Sequence, residues 1–440
     1  MWHAKLDDLL AKLKGRPIAN KNWCRHRNAA FRVSISAASP HTLRVSLHYT
    51  AASLKPAERL KVDGLSSVLL DAVRHHAQAI HTLLAHDAHH PLEMFFDTGD
   101  FLGQTWTELL PLLAYTTSAH SNTLPVPDWT FANASLGITT PNVPWEELRR
   151  ALLAQAARSD PPKRVPLVQW RGTLHEPSWV HELPSEQRAR RSLAVRTFKR
   201  LNHTLVSTLG IASDVHFASD SPSHPAHLTW PSACNARYQL HVDGIAAYSL
   251  ALKYRLTCGA VVLRVPGVSV VGNHIEPQRE WWEAAVPPTA GVEYEQLDPT
   301  LNASKLLATL RRLEADDGAH ARRVGRAAAE YAAEQLSPAA VRCYWRSLLV
   351  EYASLHARVR RACADARHPK VVGPRATHLP NVSVVVGASR NRLCSPVGRD
   401  AACYQSVDAA KPSTLPNGSA ALALTTLAFE VAIVAQRGRP

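Results

Sequence analysis

The 440 residues contain no run of 18 charge-free apolar residues, so no segment reads as a membrane-spanning helix. The opening Met-Trp-His-Ala-Lys-Leu-Asp-Asp has neither the basic start nor the apolar stretch of a signal peptide. No G-x-G-x-x-G occurs, which disfavours NAD and FAD. Walker A, H-E-x-x-H, G-x-S-x-G and the D-x-D pair of many metal-dependent sugar transferases are also missing. The seven cysteines include no C-x-x-C and no zinc-ligand spacing, which leaves little basis for a metal site. Composition alone leaves buried free thiols as a reading of these cysteines.

What is present describes a folded protein. Apolar residues make up 46% and charged residues 20% of the chain, enough for a core, and the length suggests two or three compact units. The net charge of +14 invites a nucleic-acid reading. Residues 358–440 hold twelve Lys/Arg against four Asp/Glu, however, so +8 of that charge lies in the tail and only +6 in the rest. No basic stripe interleaved with aromatics marks the folded part, and no nucleic-acid partner is expected. Five N-x-S/T sequons, at Asn133, Asn202, Asn302, Asn381 and Asn417, lean towards a secretory compartment. Asn302 has a competing role as a helix cap.

Periodicity divides the chain. A lead segment, 1–30, opens with an amphipathic helix carrying Leu6, Leu9, Leu10 and Leu13 on one face. Residues 31–160 then read as an α/β unit: alternating strands over 31–48, a helix over 65–84 and a strand over 92–96 ending in Asp97. Residues 165–336 form a second α/β unit, with strands at 165–170, 238–242, 260–265 and 292–297. Its helices fall at 186–209, 246–257, after Asn302 and at 319–335. A helix over 337–362 buries Val341, Trp345, Leu348, Tyr352 and Leu355 along one face. Residues 363–440 read as a disordered basic tail, apart from an apolar stretch at 420–435 that is too short for a span and is interrupted by Glu430.

Two turns could carry chemistry. Asp243 and Gly244 follow a strand and precede a helix, where free N–H groups and the helix dipole suit a diphosphate, although such turns are also routine. Arg171 ends another strand, followed by Gly172, and its planar fork suits phosphate oxygens; a surface arginine would look the same. Lys253 falls on the helix after Gly244, where a solvated position is the plain alternative.

These residues carry a resemblance. Trp170-Arg171-Gly172, the stretch from Cys234 to Gly244, the stretch from Ala247 to Cys258, and Cys343-Tyr344-Trp345 together resemble the Rumi-like protein O-glucosyltransferases, glycosyltransferase family 90. Pro127-Asp128-Trp129-Thr130-Phe131 is similar to the P-D-W-S-F of the plant branch. The likeness runs in order from about Leu92 to Leu355. It implies a GT-B fold, two Rossmann-like domains facing across a cleft with a C-terminal crossing helix. It also implies an inverting, metal-independent enzyme that moves glucose or xylose from a UDP-sugar to a protein serine or a glycan. The donor would meet Arg171, Gly172, Asp243, Gly244, Ser249 and Lys253. The location implied is the endoplasmic reticulum or Golgi lumen, with the N-terminus of this sequence incomplete.

The chain departs from the family at the base. Inversion needs a group to take the acceptor proton, and the family's aspartate four residues before the matched Pro127 is here Thr123. Asp128, His120 and Asp97 are the nearby substitutes, with Asp128 first and His120 second; Asp128 can equally be a cap for the turn at Trp129. An arginine that many members carry on the helix after the glycine is also missing, with Leu250 and Ala251 in its place. A catalytically inactive sugar-nucleotide or glycan-binding relative is therefore the main alternative, and a binding protein acting through its basic tail the lesser one. Cys234 with Cys258, and Cys24 with Cys343, are the disulfide pairs that an oxidising lumen would favour.

Overall fold

A computed structural model describes residues 31–39, 42–49, 56–85, 90–97, 111–119, 121, 123–132, 143–172, 190–217, 229–244, 251–271, 274–367 and 428–435. The lead segment, including Cys24, lies outside them, as do His120, Asn122 and Ser249.

The first half begins with strands β1 (Phe31–Ser39) and β2 (Thr42–Tyr49), followed by helices α1 (Pro56–His75) and α2 (Ala77–Ala85). Strands β3 (Leu92–Phe96), β4 (Leu112–Ala114), β5 (Thr116–Thr117) and β6 (Thr123–Pro125) come next, then a 3-10 turn at Trp129–Phe131 and helix α3 (Trp145–Arg158). Alternation along β1, β2 and β3 turns Phe31, Val33, Ile35, Leu43, Val45, Leu47, Leu92, Met94 and Phe96 inward. Val62, Leu65, Leu69 and Val73 of α1 are buried in the same core. Gly64 lets α1 lie against Trp129, since a Cβ there would fall 2.8 Å from the Trp129 Cβ.

This first sheet is mixed rather than all-parallel. Strand β1 is antiparallel to both β2 and β3; β3, β4 and β6 run parallel. Only two residues separate β1 from β2, too few for the crossover that parallel strands require. The helix expected over 65–84 also starts earlier, at Pro56, and is interrupted at His76.

The second half is built on a parallel sheet. Its strands are β7 (Val165–Gly172), β8 (Ala212–Phe217), β9 (Ala236–Val242), β10 (Val261–Val265) and β14 (Glu295–Gln296). Helices α4 (Arg190–Leu209), α5 (Trp230–Ala233) and α6 (Ala251–Thr257) fall between the first four. Strands β11 (Ser269–Val271), β12 (His274–Glu276) and β13 (Arg279–Glu280) and helix α7 (Trp281–Ala285) precede β14. The spatial order is β14-β10-β9-β7-β8, every neighbouring pair parallel. Numbered within the sheet, that is the 2-1-3-4-5 order of doubly wound sheets, whose direction of winding reverses between β7 and β9. Val261, Val262 and Leu263 of β10 are all buried, Val261 and Leu263 in the core of the second half and Val262 in the core shared with the first, which fits a continuous apolar run in a strand covered on both faces.

Helix α8 (Ala303–Gln335) joins the two helices read from the sequence, with a non-helical kink at Ala315–Gly318. Asn302 caps it by accepting from Lys305 N. Helix α9 (Pro338–Arg367) returns to the first half, where Trp345 packs on Phe96 and Tyr344 donates to the Pro125 carbonyl. It outlasts the expected end at residue 362. The tail is corrected again at β15 (Ala428–Ala435), which pairs in parallel with β2 and gives the first sheet the order β15-β2-β1-β3-β4-β6. The β-branched and aromatic residues of Phe-Glu-Val-Ala-Ile-Val suit an edge strand, a short signal inside a long polar composition. No helix among the described residues is long and apolar enough to cross a membrane.

Candidate functional site

Ligands of an open parallel sheet gather beyond the carboxyl ends of its strands, at the point where the winding reverses. In the second sheet that point lies between β7, which ends at Arg171-Gly172, and β9, which leads into Asp243-Gly244. The two turns singled out in the sequence therefore lie at the carboxyl ends of neighbouring parallel strands.

Arg171 is already engaged there. Both oxygens of the Asp214 carboxylate on β8 accept from its Nη2 at 2.6 Å, and the Asp214 carbonyl accepts from Nη1 at 2.6 Å. Gly172 is half-buried at the strand end, and Ser249 lies outside the described residues.

Asp243 is the pivot of a buried ionic cluster. Its Oδ2 accepts from Gly267 N at 2.9 Å and from Arg264 Nη2 at 3.0 Å, and His241 Nε2 lies 2.7 Å from Oδ1. Burial pushes the carboxyl up, but Arg264 and His241 outweigh it and hold the group well below the usual carboxylate range. Arg264 reaches Glu283 as well, at 2.7 Å. His241 is fully enclosed, and burial pushes its pKa down to about 4 although Asp243 opposes the shift. A neutral ring fits its contacts, with Nδ1 accepting from Arg255 Nη1 at 2.6 Å.

Two further arginines face this cluster. Arg190, at the start of the described part of α4, donates from Nη1 to the Pro266 carbonyl at 2.7 Å. Arg190 and its neighbour Arg191 both interact electrostatically with Asp243, and burial lowers the pKa of each. None of Arg190, Arg191, Arg255, Arg264 or His241 was singled out from the sequence. One signal was available: Arg264 is a charge inside the apolar strand Val-Val-Leu-Arg-Val, and a charge so placed needs a partner.

Asp128 and Lys253, expected to serve as base and donor ligand, are instead brought together. Lys253 Nζ is 3.1 Å from Asp128 Oδ2, with side chains 0% and 1% exposed. Thr130 links them, accepting from Lys253 and donating to Asp128 through its hydroxyl, while its N–H donates to Asp128 Oδ1 at 2.7 Å. That last bond makes Asp128 the cap of the 3-10 turn, the plainer of its two sequence readings. The ammonium also lies 3.7 Å from the Phe131 ring centroid. Burial lowers the Lys253 pKa against the pull of Asp128. Glu280 lies in the same field; burial, with the charge of Asp128, raises its pKa well above the ordinary glutamate value.

Thr123 sits in a buried hydroxyl network, with Thr117 donating to the Thr123 carbonyl and Thr123 Oγ1 within 3.0 Å of Ser121 Oγ. Asp97 is half-buried at the carboxyl end of β3, its N–H donating to the Leu113 carbonyl at 2.9 Å. A disulfide joins Cys234 to Cys258 with a Cα–Cα distance of 5.2 Å. Cys343 is disulfide-bonded too. Of the sequons, Asn202 Oδ1 accepts from Ser213 N and Asn302 Oδ1 caps a helix; the other three lie outside the described residues.

In comparison with known families, the sequence model described as glycosyl transferase family 90 fits residues 89–367, well over half of the chain. No curated protein matches the chain.

Proposed function

The chain belongs to glycosyl transferase family 90, and from that premise we propose that it moves glucose or xylose from a UDP-sugar to a protein serine or glycan hydroxyl, with inversion and without a metal. The observation that carries the donor assignment is the arginine-lined cluster around Asp243, at the winding reversal of the parallel sheet. A departing UDP gains negative charge, and cations fixed in a low-dielectric site stabilise that charge as it develops. Arg190 and Arg191 are assigned this role, with the Asp243-Gly244 turn, Gly172 and Ser249 around the nucleotide. Arg171 contributes by holding the end of β7 through Asp214.

The two-sheet plan and the return of α9 to the first half support a GT-B reading. The crossing helix would then tie the acceptor side to the donor side. The disulfide between Cys234 and Cys258 supports an oxidising compartment such as the endoplasmic reticulum or Golgi lumen.

In the transfer, the acceptor hydroxyl oxygen bonds to the anomeric carbon as the bond from that carbon to the UDP oxygen breaks, and the hydroxyl proton passes to a base. Asp128 is enclosed and paired with Lys253, so we assign it and Lys253 to holding the halves together. The base then falls to Asp97, a carboxylate at a strand end of the first sheet, with His120 as the alternative. The enclosure of Asp128 is also the observation that favours the second reading, an inactive relative that binds UDP without turnover.

Calorimetric titration with UDP tests the donor site. Arg190→Ala should weaken binding at least about tenfold, by loss of a charge-assisted contact. Arg171→Ala should weaken it less. Equal affinity in parent and Arg190→Ala would remove the donor site from this cluster.

A further inference from the structure

Helix α4 carries a row of cations that the fold leaves unanswered. Its 20 residues, Arg190–Leu209, include no Asp or Glu. Ala194, Phe198, Leu201 and Leu205 turn into the core of the second half, and Arg196, Lys199, Arg200 and His203 stand exposed on the opposite face. These four make no hydrogen bond or ion pair with other described residues. Asp214, on the strand β8 that follows α4, is taken by Arg171.

A solvated helix face ordinarily mixes its signs. Helix α3 does so, with Arg149 and Arg150 both reaching Glu146. On α4 the spacing of three and four sets like charges side by side, where they repel and weaken the helix. An anionic partner would relieve that repulsion.

The row also has a direction. Helix α4 joins the parallel strands β7 and β8, so it starts at their carboxyl ends and runs back towards their amino ends. Its first turn holds Arg190, which interacts with Asp243 at the candidate donor site. At 1.5 Å per residue, the row begins about 9 Å along the axis from Arg190 and is about 10 Å long. About four residues of extended chain cover that length.

What the face lacks narrows the partner. The apolar side of α4 is buried, and Val206 is its one exposed large apolar side chain, so the helix has little to insert into a lipid surface. Phe198 is buried, which removes the ring that base stacking would use. A narrow, linear row of cations complements carboxylates along an extended polypeptide.

We infer that α4 docks an acidic segment of a polypeptide acceptor and leads its serine towards the crevice beside Arg190. The inference rests on the transferase reading above and adds to it a substrate class: a serine with Asp or Glu nearby in the chain, in preference to a neutral glycan.

The test uses the full chain and two fluorescent serine-containing peptides that differ only in a short run of Glu or Gln, with binding read by anisotropy. The acidic peptide should bind at least about tenfold tighter at low salt, and high salt should remove the advantage. A variant with Arg196→Gln, Lys199→Gln and Arg200→Gln should lose the preference, with UDP affinity unchanged and a melting temperature equal to or above that of the parent. A control with Arg390→Gln, Arg392→Gln and Arg399→Gln removes the same charge from the tail and should keep the preference. In the transfer reaction the α4 variant should raise KM for the acidic peptide and leave kcat unchanged. Equal binding of the two peptides by the parent, or equal losses in the α4 and tail variants, would overturn the inference and leave the donor reading standing. So would α4-dependent binding to phosphatidylserine vesicles or to a single-stranded oligonucleotide that the acidic peptide fails to displace. A parent that binds the acidic peptide but no UDP would overturn the donor reading and, with it, the acceptor role of α4.

Discussion

Lys253 and Asp128, 125 positions apart in the chain, meet as a fully enclosed ion pair at 3.1 Å, so helix α6 of the second half is pinned to the Trp129–Phe131 turn of the first. Breaking one side of such a pair strands a charge away from water, at a cost of about 3–5 kcal/mol. Asp128→Asn should therefore unfold at clearly lower denaturant concentration than the parent. Combining it with Lys253→Met should restore most of the loss, because the stranded ammonium is gone. Additive losses in the double variant would contradict the pairing as the source of the effect.

The Cys234–Cys258 bond closes a sequence separation of 24 between α5 and the end of α6. Constraint of the unfolded chain by a loop of that size is worth roughly 3 kcal/mol. Cys234→Ser should lower stability by about this amount under oxidising conditions. Under strong reductant, parent and variant should converge; a difference that persists there would assign the effect to packing at the buried site.

Stability should also fall on acidification, in a definite window. The folded chain holds His241 at about 4, below the 6.5 of a free imidazole, so between these values the unfolded chain binds the extra proton. Stability is thus fully present above pH 6.5 and is lost as pH falls towards 4, by about 3 kcal/mol at most for a group so buried. His76, held at about 4 by burial and by His75, acts in the same direction. Asp243 adds a further loss below its free value of 3.8, since its folded carboxyl titrates lower still. Denaturant unfolding at pH 7, 5.5 and 4 should show the slope, and His241→Asn should reduce it. An unchanged slope in that variant would place the proton uptake elsewhere.

Much of this arrangement was legible in the sequence where the signal was local. The strand at 92–96, the Asn302 cap and the apolar face from Val341 to Leu355 follow from period and capping chemistry alone, and each falls where expected. The two strand-end turns were found because strand, glycine and helix occur together within a few residues. The partners of those turns were not, because such pairing in a folded chain is non-local: Arg264 reaches Asp243, and Arg255 reaches His241, only after β9, β10 and α6 have packed. For the same reason Asp128 and Lys253 read as two functional groups, although they satisfy one another. The antiparallel start of the first sheet was hidden because alternation marks a strand without giving its direction.

With Asp128 enclosed, the acceptor proton has to be taken by another group. Asp97→Asn keeps the shape of the side chain and removes its basicity, so turnover should fall by about two orders of magnitude or more while UDP affinity is unchanged. Full turnover in that variant would move the role to His120, and His120→Asn should then show the loss.

The most direct measurement is UDP release by the purified full chain from UDP-glucose and UDP-xylose, with serine-containing protein and glycan acceptors, in the presence and absence of EDTA. The account predicts acceptor-dependent release from at least one of the two donors, undiminished by EDTA and lowered about tenfold or more in Arg190→Ala at subsaturating donor. Tight UDP binding with no release from either donor would contradict it and identify a nucleotide-binding relative that has lost the transfer step.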